Sequence, residues 1–282
     1  MNLTGPKALK QQVQRLWDRG SLPRSVIQGG QDFPLRLVLK GPTSADLLDG
    51  FEAVRVWAQA LMAMEGVRLV FRDVRHRVYG QQSIPSEVWL DSVPTALAMI
   101  GKRTEGKILE ELAARTREDF PDLLPWVINR PHMALALKEE WPILLRLIQW
   151  MVEHPHPGIY FREVDVAGVH SKLIESHRAV IAELASLAFK RAIRAAHLAA
   201  DLGYLDKPLR VRFRSLDPAL RIGPVANDLP DVTLDAASFV SLDLQISKVF
   251  MLENEINFLS FPEVAGAIAI FGAGYGFGAI SK

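Results

Sequence analysis

The sequence predicts an α/β protein of more than one domain. Three observations carry that prediction. Apolar residues recur at helical spacing over long segments, short stretches of period-two alternation interrupt them, and a double-proline break, "HPHPG" at residues 154–158, divides the chain. With 282 residues, 49% of them hydrophobic, there is enough apolar material for more than one core.

The elements follow in order. "KALKQQVQRLWDR" (7–19) places Leu9, Val13, Leu16 and Trp17 near one helical face. "LRLVLKGP" is a short strand ended by Gly41-Pro42. A helix capped at Thr43 or Ser44 runs through Phe51, Val54, Trp57, Leu61 and Met64 to a stop at Gly66. "VRLVFRDVRHRVYG" changes period and reads as one or two strands. The rest of this half reads as helical: "SVPTALAMIG", "TEGKILEELAARTRE", a "PWVINRP" turn region, and "KEEWPILLRLIQWMVEH" with Leu144, Leu145, Leu147, Ile148 and Met151 on its apolar side.

Beyond the break, an extended segment and a turn at Gly168 lead to a helix capped near Ser171, with Ile174, Val180, Ile181 and Leu184 inward. "KRAIRAAHLAAD" reads as another helix, and "LRVRFRSLDP" as an alternating strand closed by a turn at Asp217-Pro218. A Pro/Asp-rich passage (223–235) precedes "SFVSLDL". "KVFMLEN" has the pattern of a buried strand that ends in a carboxylate, and "AGAIAIFG" that of a second buried strand.

Composition excludes several functions. A formal charge of +1 leaves any nucleic-acid contact to a local patch. With no cysteine there are no disulfides, thiol nucleophiles or iron–sulfur clusters, which suits a reducing compartment. The N-terminus lacks the apolar core of a secretory signal. The uncharged run Val264–Ile280 is short and carries five glycines, so a membrane tail is not expected.

Candidate sites are few. Arg72, Arg75 and Arg77 can present guanidinium groups to a phosphate backbone, with Tyr79 beside them; a solvated strand face is the alternative. His154 and His156 in "HPH" are held apart by rigid prolines and lack a nearby cluster of carboxylate ligands, and His170 and His177 suit helix capping better than metal. The glycines Gly272, Gly274, Gly276 and Gly278 fit neither G-x-G-x-x-G nor a P-loop, leaving a tight turn at a strand end. Glu253 is the sharpest candidate, a carboxylate at the C-terminal end of a strand, able to hold Mg²⁺ or Mn²⁺ or to move a proton. Glu255 joins it on one face if the strand continues, and caps a helix if a turn begins first.

"VFMLENEINFLSFP" followed by "AIAIFGAGYG" resembles the opening of the Toprim domain in the nuclease subunit of Wadjet, a bacterial SMC-like anti-plasmid defence complex. "IYFREVDVAGVHSKLIESHRAVIAEL" and "VRFRSLDP" resemble that family's middle region. The resemblance implies an N-terminal arm (1–154), a winged-helix-like DNA-binding middle (159–235) and the start of a Toprim α/β fold (240–282). It implies a cytoplasmic bacterial homodimer that cleaves double-stranded plasmid DNA by hydrolysis with Mg²⁺ or Mn²⁺, alongside SMC-like partner subunits. Carried over residue by residue, Glu253 matches the first Toprim acid, Asn254 accompanies it, and Gly272 to Gly276, Gly274 among them, match the turn after the second strand. The Asp-x-Asp motif of a Toprim site is not found after Gly276. The expectation is therefore a chain cut within the Toprim domain, its metal site incomplete and its C-terminal segment poorly ordered or self-associating. A non-catalytic DNA-binding or adaptor module is the alternative function.

Overall fold

The computed structural model describes residues 2–76, 78, 80–220, 222 and 231–272. The chain divides into two compact units, Met1–Leu205 and Asp206–Lys282. The division falls after Leu205. The 154–158 break lies inside the first unit, and the 159–235 stretch is shared between the two.

The first unit is mainly helical. It opens with α1 (Pro6–Asp18), α2 (Ser21–Ile27) and the short strand β1 (Leu35–Leu37). The helix expected from residue 43 is two helices, α3 (Ser44–Asp49) and α4 (Phe51–Met62), parted at Gly50. Thr43 caps α3 in a reciprocal box with Asp46, which holds that carboxyl below its usual range. Then come β2 (Arg68–His76) and β3 (Gly80–Leu90), a long antiparallel hairpin with β1 on the far side of β3. The β3 strand was absent from the sequence reading, because "GQQSIPSEVWL" opens on polar residues and contains Pro85. The ladder tolerates the proline through a register shift that leaves Ser86 unpaired.

Helices α5 (Val93–Ile100), α6 (Arg103–Asp119), α7 (Leu124–Asn129), α8 (Pro131–Ala136) and α9 (Trp141–Glu153) follow, so the "PWVINRP" turn region is in fact two short helices. After them come α10 (Ser171–Ser176), α11 (Arg178–Ala188) and α12 (Leu198–Leu202). The helix expected from Lys190 begins only at α12, after a single 3-10 turn. The chain leaves α11 through Lys190 at φ +52°, and the Ser186 hydroxyl accepts the Ile193 N–H at 2.9 Å, so a side chain replaces the helical partner. One continuous core joins α1 to Tyr204, with Trp141, Leu144, Leu147 and Ile148 fully buried at its centre.

The second unit is a four-stranded sheet. Strands β4 (Arg210–Ser215) and β5 (Asp231–Asp235), helix α13 (Ala236–Val240), strand β6 (Lys248–Leu252), helix α14 (Glu255–Leu259) and strand β7 (Ala267–Phe271) follow in order. Spatially the order is β5-β4-β7-β6: β4 runs antiparallel to β5 and β7, while β6 and β7 are parallel. Two parallel neighbours need a crossover, and α14 supplies it. The expectation of a buried strand in "AGAIAIFG" holds, since Ala267 to Ile270 are all buried. Ile268 and Ile270 pack with Val211 and Phe213 on the α13 face, where Phe213 meets Phe239 edge-on at 4.9 Å. Ala267 and Ala269 face α14, and their small side chains admit the fully buried Phe258.

Candidate functional site

The parallel pair ends in register, Leu252 beside Phe271, and the Gly272 N–H donates to the Leu252 carbonyl at 2.9 Å. Glu253 is the next residue after β6, exposed at the C-terminal end of the strand. Asn254 turns the chain: its side-chain oxygen accepts the Asn257 N–H at 3.0 Å and caps α14. The strand therefore stops at Leu252, and Glu255 stands in the first turn of the helix instead of sharing a strand face with Glu253. Gly272 is placed at the same sheet end as Glu253. Gly274 lies outside the described residues.

Beside this end, β4 contributes an arginine that the sequence reading passed over. The Arg212 guanidinium donates to both oxygens of Asp231, at 2.7 to 3.1 Å, and to Glu255 at 2.5 Å. It lies 5.2 Å from the Phe258 ring centre and 5.4 Å from that of Phe271. The bonds to Asp231, then Glu255, push its pKa further above the usual arginine value. The legible signal was the R-x-R-x-R run at 210–214, with Val211 and Phe213 turned to the core between arginines.

A divalent ion fits these residues poorly. Glu253 has no ion pair or hydrogen bond among the described residues, but Glu255 is committed to Arg212. Among the described residues no group of three or more His, Asp or Glu is placed to hold a metal. One free carboxylate is too few for Mg²⁺ or Mn²⁺, which take several oxygens.

The other candidates are dispersed. Arg72 and Arg75 are exposed on β2, but strand alternation puts them on opposite faces, and Arg72 donates to the Pro42 carbonyl at 3.3 Å. Arg77 and Tyr79 lie outside the described residues. His170 caps α10, its Nδ1 accepting the Leu173 N–H at 3.1 Å. His154 stacks on Trp150 with ring centres 4.3 Å apart. Tyr204 is 5% exposed, stacked on Phe161, and burial pushes its phenol above the usual value.

Comparison with known families agrees with this geometry. Residues 6–186 match the model described as "Uncharacterized protein conserved in bacteria N-term (DUF3322)". Residues 203–282 match "Wadjet protein JetD, C-terminal". The chain belongs to the Wadjet JetD family. The second match spans the whole sheet unit, Glu253 and Arg212 included, and that unit accords with a Toprim-related fold. No curated protein matches the chain. Among the described residues no helix is long and apolar enough to cross a membrane.

Proposed function

We propose that this JetD-family chain is the DNA-cleaving subunit of a Wadjet anti-plasmid complex, acting as a homodimer on double-stranded plasmid DNA in the bacterial cytoplasm. In this reading the family's reaction is hydrolysis of a phosphodiester with Mg²⁺ or Mn²⁺, and Glu253 would be one of several carboxylates holding the ion, the others not being among the described residues. The observation that carries it is the placement of Glu253 beside Gly272 at the end of two parallel strands, within the segment matched to the JetD C-terminus.

The test is circular plasmid DNA with Mn²⁺ and this chain assembled with the other Wadjet subunits. Cleavage is expected, and Glu253→Gln lowers its rate by about a hundredfold or more. Full cleavage by that variant sinks the assignment of Glu253. No cleavage by the wild-type assembly selects the second reading, a DNA-binding or adaptor module, which the single free carboxylate favours.

For DNA or partner contact we propose two places: the hairpin cations Arg72, Arg75 and Arg77, and the helix from Ser171, α10, in the winged-helix-like middle. Exposure of Arg72 and Arg75 supports the first, and the resemblance of this segment supports the second. If each hairpin arginine neutralises one phosphate, changing all three to alanine flattens the log–log salt dependence of DNA affinity by about 2 to 3. An unchanged slope clears the strand of phosphate contact.

A further inference from the structure

We propose that Arg212 and Arg214 are positioning residues for Glu253, a step that rests on the reading of Glu253 as the working carboxylate. Both project from the polar face of β4 and reach opposite ends of α14. Arg212 takes Glu255 in the first turn at 2.5 Å. Arg214 donates through Nη1 to the carbonyls of Phe258, at 2.9 Å, and Leu259 in the last turn. A cation at those carbonyls also suits the negative end of the helix. Glu253 occupies the link between β6 and this clamped helix, so its backbone is fixed by the sheet on one side and by the arginines on the other.

The clamp also sorts the carboxylates. Asp231, Asp235, Glu253 and Glu255 are the acidic groups at or next to the strand ends; Asp235 is taken up by Ser238 at the start of α13, and Arg212 binds Asp231 and Glu255 together. A guanidinium does this because its planar fork carries donors on several edges, whereas an ammonium is a point charge. Glu253 is left as the carboxylate of this group without a partner among the described residues. Glu255, two residues on and the natural second ligand by sequence, is withdrawn from that role by an internal cation.

The test uses the full chain, carbodiimide labelling of carboxylates read by mass spectrometry, and amide hydrogen exchange. In the wild type, Glu253 is expected to label about tenfold faster than Asp231 and Glu255, which are held in charge-assisted bonds. In Arg212→Met the difference shrinks to about twofold, and the amides of residues 256–259 exchange about tenfold faster while those of the first unit are unchanged. Arg212→Lys keeps the charge without the fork and re-protects one of the two carboxylates, a selectivity that a general loosening of the unit would not produce. Equal labelling of all three in the wild type, or an unaltered pattern in Arg212→Met, overturns the proposal. Should Arg212→Met not fold, Arg214→Met decides through exchange at residues 256–259: faster exchange supports the clamp, and unchanged exchange overturns it. The two readings fail separately. Wild-type DNA cleavage by Glu253→Gln removes the working carboxylate and leaves the labelling pattern standing. A flat labelling pattern with Glu253→Gln inactive removes the positioning role alone.

Discussion

Trp141→Ala is expected to destabilise the first unit by about 4 kcal/mol, the largest single loss in the molecule. The indole is fully buried, stacks on Trp126 with ring centres 5.2 Å apart, and donates its N–H to Thr116 Oγ1 at 2.9 Å. Thr116 is itself buried, and its hydroxyl donates to the Leu112 carbonyl at 2.7 Å. Removing the ring opens a cavity and takes a partner from a buried hydroxyl, and both costs act in the same direction. Trp141→Phe keeps most of the volume and should cost about half as much. Urea unfolding followed by tryptophan fluorescence measures this cleanly, because all six tryptophans lie in the first unit. An Ala variant within about 1 kcal/mol of wild type would show that the helices around Trp141 collapse freely.

Gly203→Ala follows, with an expected loss of about 3 kcal/mol. Gly203 ends α12 at φ +75°, and a methyl group there would lie 2.5 Å from the His156 Cα, a backbone atom that cannot rotate away. The Gly158 N–H donates to the Gly203 carbonyl at 3.1 Å, so the "HPHPG" break is fastened against the end of α12. The thermal midpoint checks the prediction: a shift of less than about 2 °C would mean that the His156 turn yields without cost.

The parts of the fold that were legible rest on local patterns. α1, α4 and α9 were readable because their apolar residues keep the helical period, and β6 and β7 as the short apolar runs "KVFML" and "AIAIF". But β6 is not the buried strand expected: Val249 and Met251 are exposed. β3 was not readable, since its polar opening and Pro85 resemble a loop until β2 pairs with it. The false helix at 190–197 had good helix formers throughout, but Lys190 and the Ser186 hydroxyl turn the chain first. Of the candidate site, Glu253 and its strand end were legible from pattern and resemblance together. The role of Glu255 was not, because it depends on Arg212, 43 residues away along the chain, and no local pattern records that pairing. The placing of β4 between β5 and β7 is equally non-local.

The alternation of alanine and isoleucine along β7 has a consequence beyond packing. It makes the sheet's two faces unequal in side-chain size, so Phe258 of α14 packs over two methyl groups while Phe239 of α13 packs on the isoleucine side. The seat of α14 on the sheet is thus set by side-chain volume together with the arginines that hold its two ends. Glu253 leads directly into that helix, so the smallest side chains in the neighbouring strand help fix where the exposed acid of the site begins.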